Sequence, residues 1–418
     1  MVKNVAKNTA MLYIMNIAKL IFPLLTLPYL TRTLSMDAYG VVSYVKAVMT
    51  YMQLLIDFGF ILSATKDIVK CGDDKAKIGV ITGNVIIGKL LLSVVALIVL
   101  AVMIIIIRIL RTNVLFTLLY FVSVVLTAFL ADFLFRGLEK MHIITIRFLI
   151  TRSITTALTF AVIHNDSDII LIPLLEIIGN LAAIIWVGIS IKGLGISIRV
   201  SSLKDVLSML KESFVFFISN MATTAFGALN TLLVGIFLSE ADVAQWGLVM
   251  QLVNAVQALY SPVINGIYPH MIREKDITFT FKVLKLFMSL IAAGCLIIYF
   301  GADTILLIIG GEKYVRVALL LRWFIPLLII SFPAMVYGWP CLGAIEKAKE
   351  VTITTIVTAL AQIAGLLILA VTDHFTLINL ALLRGLTELF MLLMRSYFCW
   401  KYRSLFTWPK KQINSTAV

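Results

Sequence analysis

Residues 80–107 read VITGNVIIGKLLLSVVALIVLAVMIIII, and Lys89 is the one charged side chain among them. A hydrocarbon core is crossed by roughly 20 helical residues, so this stretch is long enough to span it with some tilt. Lipid offers no partner to a free amide, which makes a helix the conformation that satisfies every backbone group within one segment. A charge inside such a span costs ~2.5–3.5 kcal/mol on insertion scales, so Lys89 is expected to face a polar interior.

Eleven further apolar runs lie at 10–31, 41–63, 114–135, 143–163, 169–191, 214–238, 244–269, 283–301, 317–340, 351–371 and 377–400. The composition agrees: of 418 residues 61% are apolar and 14% charged, and the mean hydropathy is +1.04. Ordinary soluble domains carry about a quarter charged residues, so a soluble enzyme is excluded. Cys71, Cys295, Cys341 and Cys399 sit far apart, without disulfide or zinc-ligand spacing, and no metal site is expected. The polar start, residues 1–7, leads into an apolar run without a small-residue cleavage site, so no removable signal peptide is expected.

Twelve spans place both termini on one side. With the amino terminus inside, 23 of the 35 Lys and Arg fall in inner segments, among them Lys3, Lys7, Arg136, Arg147, Lys410 and Lys411, and five fall in outer loops. Positive loops stay cytoplasmic, so both termini are expected there. The same bias explains the net charge of +13 without nucleic-acid binding. Seven cations remain inside spans: Lys19, Lys46, Lys89, Arg152, Arg322, Arg384 and Arg395.

The chain also compares with itself. Asn16 and Asn220, and Ser35 and Ser239, are offset by 204, while Gly40 and Gly247, Gly59 and Gly266, and Glu139-Lys140 and Glu346-Lys347 are offset by 207. The expected fold is an all-α integral membrane protein with twelve transmembrane helices, in two six-helix bundles related by a parallel repeat around a central cavity. Its divisions are 1–191, a cytoplasmic connector 192–212, 213–402, and a cytoplasmic tail 403–418. The connector reads equally as an ordinary amphipathic loop or as a hinge.

No G-x-x-x-x-G-K-[ST] loop is present, so the chain is not expected to hydrolyse ATP. His142, His164, His270 and His374 stand singly near helix ends, without catalytic spacing. Outer loops are too short for the ordered site a membrane glycan polymerase or ligase needs. Polar stripes instead run along the helices: Lys46, Gln53 and Asp57; Thr82, Lys89 and Ser93; Arg152, Thr155, Thr156 and Thr159; and the uncharged Gln251, Asn254, Ser261 and Asn265. Lys19, Lys46, Lys89, Arg152, Arg322 and Arg384 outnumber Asp57, Asp132, Glu176 and Glu388, which describes a cavity that prefers an anion. A plainer reading lets Asp132 and Arg136, and Arg384 and Glu388, neutralise each other at i,i+4 spacing, while Lys46 and Arg322 snorkel. Pro23 and Pro28 favour a bend or hinge in the first helix.

The segments Asn8-Thr9, Pro23-Leu24-Leu25-Thr26-Leu27-Pro28-Tyr29-Leu30-Thr31-Arg32-Thr33-Leu34, Tyr39-Gly40 and Asp57-Phe58-Gly59-Phe60 resemble the start of bacterial Wzx-type O-antigen flippases. Phe133-Leu134-Phe135-Arg136-Gly137-Leu138-Glu139-Lys140-Met141 is similar to that family's signature at the end of the fourth helix, with Phe133 where tryptophan is common and Arg136 where glutamine is. The resemblance implies the multidrug/oligosaccharidyl-lipid/polysaccharide (MOP) exporter fold in the bacterial inner membrane. It also implies a cargo of undecaprenyl-pyrophosphate-linked oligosaccharide, moved from the cytoplasmic to the periplasmic leaflet. A transporter of this kind needs no cofactor and no catalytic residue; membrane lipids surround it, and the polysaccharide polymerase complex is a further expected partner. Lys19, Lys46, Lys89, Arg152, Arg322 and Arg384 would then hold the diphosphate head, and Asp57, Asp132, Glu176 and Glu388 are candidates for proton or sodium coupling. A multidrug or cation exporter of the same superfamily, and a glycan polymerase, are the rival readings.

Overall fold

The computed structural model describes residues 2–407, apart from the side chains at 2–7, 9, 219 and 222–227. Expectations placed on Thr9, Lys3 and Lys7, and on the tail from 408 with Lys410 and Lys411, lie outside the described side chains or residues. Among the described residues the chain is helical, with a single isolated bridge between Asp276 and Thr407.

Eleven segments are long and apolar enough to cross a membrane: Ala10–Thr33, Met36–Cys71, Lys75–Ile106, Val114–Gly137, Met141–Val162, Asp166–Gly193, Glu240–Glu274, Ile277–Gly310, Ala318–Gly343, Ala348–Val371 and Leu377–Lys401. They correspond to eleven of the twelve expected runs. The seventh place is taken by the helix Leu203–Phe237, within which the side chains outside description fall. The chain divides into two compact units, Met1–Gly247 and Leu248–Val418.

In the first unit, glycines let helices touch backbone to backbone. A Cβ on Gly40 would run into the carbonyl oxygen of Glu240, and one on Gly235 into the ring of Tyr44. The connector uses the same device. Gly79 and Gly83 open a notch on the third span that receives the Ser197 and Arg199 carbonyls. Arg199 N donates to Gly79 O at 3.2 Å, and Asn84 exchanges bonds with Ser201 at 2.8 and 3.0 Å. The segment 194–202 is therefore a strap stitched to the third span rather than a free loop. It ends in a capping box in which Ser202 and Asp205 bond reciprocally, and those bonds from Ser202 hold the Asp205 carboxyl below its ordinary range.

Expected bends at Pro23 and Pro28 are not where the helix ends: Val2–Thr33 continues through both prolines. The backbone departs from helix at Phe58 and Gly59 in the second span, and the fourth and tenth spans break in a related way. In the fourth, a 3-10 turn at Thr127–Leu130 is followed by Ala131 in the left-handed region, φ 49° and ψ 38°. In the tenth, a π-helical segment at Tyr337–Gly343 contains Gly338 with φ −68° and ψ −114°. Ala131 and Gly338 are 207 residues apart, the offset of the sequence repeat. The turns that follow match as well. Glu139 and Glu346 both have positive φ, 55° and 65°; Lys140 N reaches Phe135 O at 2.8 Å, and Lys347 N reaches Leu342 O at 2.9 Å.

Each break in the fourth and tenth spans frees a carbonyl in a region without water, and a buried arginine meets it. Arg147 Nη1 donates to Leu130 O at 3.1 Å. Arg395 Nη1 donates to Ala334 O at 2.7 Å, with Nη2 to Thr355 Oγ1 at 3.0 Å and Nε to Thr354 Oγ1 at 3.3 Å. Replacing Arg395 by Met leaves that carbonyl unbonded, a loss of about 1–3 kcal/mol. A lower melting temperature in detergent is the expected result, with Arg395→Lys recovering part of it.

Candidate functional site

Within the first unit, Asp57 closes the helix Met36–Asp57, just before Phe58 and Gly59 turn into the left-handed region. Its Oδ1 receives Lys89 Nζ at 2.6 Å, and its Oδ2 receives Gln53 Nε2 at 2.8 Å. Gln53 Oε1 in turn accepts from Thr127 Oγ1 at 3.0 Å. Spans two, three and four are thereby joined by one polar chain, in which Lys89 is 9% exposed and Asp57 40%. Thr82 and Ser93, expected beside Lys89 on a wet face, instead bond their own helix at Ile78 O and Lys89 O, both at 2.8 Å.

A second group joins spans two, four, five and six. Arg152 Nη1 donates to Glu176 Oε1 at 2.8 Å, and Tyr120 Oη lies 3.5 Å from the same oxygen. Lys46 is within electrostatic reach of Glu176 and Arg152. Thr155 and Thr159 again bond backward along their helix. Lys19, with its ammonium 5.8 Å from the Phe148 ring centre, is within electrostatic reach of Asp132, Arg136, Arg147 and Arg152. Both lysines have accessible side chains. Each is within electrostatic reach of charges on other helices of the unit.

The expected i,i+4 pairing of Asp132 with Arg136 is corrected. Asp132 Oδ1 pairs with Arg147 Nη2 at 2.8 Å, across to the fifth span. The break at Ala131 supplies the reason: one guanidinium from the fifth span meets both the freed Leu130 carbonyl and the adjacent carboxylate. Arg136 Nε is left buried without a hydrogen bond. Arg147, counted by sequence among loop cations, is 5% exposed inside Met141–Val162. Its register could have revealed it, because Arg147, Thr151, Thr155 and Thr159 recur every four residues.

In the second unit, Arg322 is tied to the ninth span. Its Nη2 pairs with Asp303, its Nε donates to Tyr299 O at 3.0 Å, and its guanidinium sits 5.8 Å from the Tyr299 ring centre. Arg384 and Glu388 lie one turn apart on the twelfth span, and the buried Glu388 is within reach of both Arg384 and Arg395. Asn254, Ser261 and Asn265 are exposed. The first unit thus gathers Lys19, Lys46, Arg136, Arg147 and Arg152 around only Asp132 and Glu176, an arrangement that can bind an anion and orient it through guanidinium donors.

Lys89 and Asp57 give a direct check on how firmly such pairs are held. Asp57→Asn leaves a buried ammonium without its counter-charge and is expected to cost about 1–3 kcal/mol, discounted for the exposure of Asp57. The double variant Asp57→Asn/Lys89→Met should be the more stable of the two in a thermal melt.

The polysaccharide biosynthesis protein family matches residues 5–275. A protein of Escherichia coli (strain K12), provisionally named as an O-antigen transporter, is 27% identical over 389 residues, 91% of this chain and 93% of its own. A protein of the same name from Shigella dysenteriae is 25% identical over 340 residues, 80% and 85% of the two chains. Among solved structures, an inward-facing multidrug resistance MATE family transporter of the MOP superfamily aligns with a TM-score of 0.64 at 10% identity, covering 92% of this chain and 98% of that one. The lipid II flippase MurJ, inward closed, aligns with a TM-score of 0.63 at 14% identity over 97% and 88%. These likenesses show a shared fold, and the sequence match over more than half the chain settles the family: this is a multi-pass membrane protein belonging to the polysaccharide biosynthesis protein family.

Proposed function

We propose that the protein is a flippase that carries an undecaprenyl-pyrophosphate-linked oligosaccharide, an O-antigen repeat unit, from the cytoplasmic to the periplasmic leaflet of the bacterial inner membrane. The observation that carries this reading is the excess of cations over acids between the helices of the first unit. A sugar head cannot cross hydrocarbon, because each desolvated hydroxyl costs on the order of kcal/mol. A diphosphate beside it is worse, since it brings charge. Lysines and arginines facing an inter-helix space lower that barrier while the polyprenyl chain stays in lipid. The names of the two relatives, both transporters, and the MurJ-like fold support the same reading.

In this reading 1–191 and 213–402 are two lobes around a central cavity, 192–212 joins them on the cytoplasmic side, and both termini, with the tail 403–418, are cytoplasmic. Lys19, Lys46, Lys89, Arg152, Arg322 and Arg384 contact the head during alternating access. Without a nucleotide loop, the drive is an ion gradient or consumption of the product outside. Asp57, Asp132, Glu176 and Glu388 each face a cation, so protonation of any one would release positive charge toward the cargo. The polysaccharide polymerase complex is the partner that would receive the product.

Proteoliposomes loaded with defined lipid-linked sugars test this. Leaflet transfer is expected, unchanged chain length with it, and a response to an imposed pH or sodium gradient. Lengthened chains would indicate a polymerase, and export of cationic dyes a drug exporter. Lys46→Glu and Arg152→Glu, expressed at normal levels, are expected to cut restoration of surface polysaccharide in a null strain by at least about tenfold; full restoration would overturn the cationic-cavity reading.

A further inference from the structure

The charged groups of the first unit are ordered along its helices. Arg136 lies in the last turn of Asp132–Gly137, beside the turn into the fifth span. Arg147 follows inside that span, paired with Asp132. Five residues farther, about 8 Å along the helix, Arg152 is paired with Glu176. Lys19 is within electrostatic reach of both arginines, and Lys46 is within reach of the Arg152 and Glu176 pair. Cation and acid therefore alternate from one end of the unit toward its middle.

We propose that Asp132 and Glu176 are resident counter-anions of two successive diphosphate stations, a lower one formed by Arg136, Arg147 and Lys19 and an upper one formed by Arg152, Lys46 and Lys19, and that the diphosphate of a lipid-linked cargo displaces each carboxylate in turn. This rests on the reading that the cargo head is an anion. Three observations carry it. The lower station holds a buried guanidinium nitrogen, Arg136 Nε, without a hydrogen bond, so its donors exceed what Asp132 takes up. Neither carboxylate is sealed in the packed interior, Asp132 being 34% and Glu176 21% exposed, so each has room to turn aside when displaced. Glu176 also has Tyr120 Oη beside the oxygen that Arg152 occupies, which leaves it a donor after Arg152 turns to phosphate.

The diphosphate brings more negative charge than the single carboxylate it displaces, so a loaded station also compensates cations, such as Arg136 at the lower one, that the resident acid leaves in excess. Two shallow stations also suit transport better than one deep well, because a site must bind well enough to be entered and weakly enough to be left. Lys19, shared between them, holds the anion during the step.

The test is binding of undecaprenyl pyrophosphate, without sugar, to the full chain in nanodiscs, with undecaprenol as the uncharged control. A carboxylate that merely braces the fold would weaken binding when removed, whereas a resident counter-anion competes with the ligand. Asp132→Asn and Glu176→Gln are each expected to tighten binding about fivefold to tenfold and to slow leaflet transfer. The two gains should be separable: Arg147→Gln abolishes the gain from Asp132→Asn but not that from Glu176→Gln, and Arg152→Gln does the reverse. Unchanged or weaker binding in both carboxylate variants overturns the stations while leaving the flippase reading in place. Failure of the unaltered protein to distinguish undecaprenyl pyrophosphate from undecaprenol overturns the reading beneath them. Where a variant does not fold, infrared difference spectra of the unaltered protein decide. A shift of carboxylate bands on adding the pyrophosphate lipid, absent with undecaprenol, supports displacement, and no shift refutes it.

Discussion

A polar group placed in hydrocarbon must find its partner inside the protein, and most of this structure follows from that requirement. It makes the spans helical, since only a helix bonds every amide within its own segment. It turns Thr151, Thr155 and Thr159 of the fifth span back onto carbonyls of their own helix. It also decides what happens where the helix fails. At Leu130 and at Ala334 a carbonyl is released, and at both places an arginine from another helix closes the gap.

Those two arginines show how one constraint produces different outcomes. Arg395 is fully engaged by a carbonyl and two threonine hydroxyls and serves to hold the tenth span in its broken form. Arg147 uses one nitrogen on the break and another on Asp132, so it couples the backbone of the fourth span to a partly exposed carboxylate. A helix break thus occurs at both Ala131 and Gly338, 207 residues apart, while the chemistry around it differs. The first unit is rich in exposed or half-exposed cations beside carboxylates; in the second, Arg322 is held against Asp303 and Tyr299 at the ninth span.

The strap 194–202 belongs to the same logic. Its backbone is extended and would carry unbonded amides, and it finds partners at Gly79 and Asn84 because glycines on the third span let it approach. A connector bonded this way is part of the first compact unit, which continues past it to Gly247.

Eleven of the twelve spans and the presence of charges within them were legible from the chain alone, because hydropathy over some 20 residues is a local property. The left-handed backbone at Glu139 and Glu346 was not read from the sequence, although the repeated Glu-Lys pair marked both places. Which charge meets which was not legible. Asp132 finds Arg147 rather than Arg136, Lys89 finds Asp57, and Arg152 finds Glu176, each across 15 to 32 residues. Those pairings depend on where the fourth helix breaks and how neighbouring helices are rotated, and rotation is fixed by packing among segments distant in sequence. The amino-acid order determined that charges would lie within spans; only the packed helices decided which of them meet.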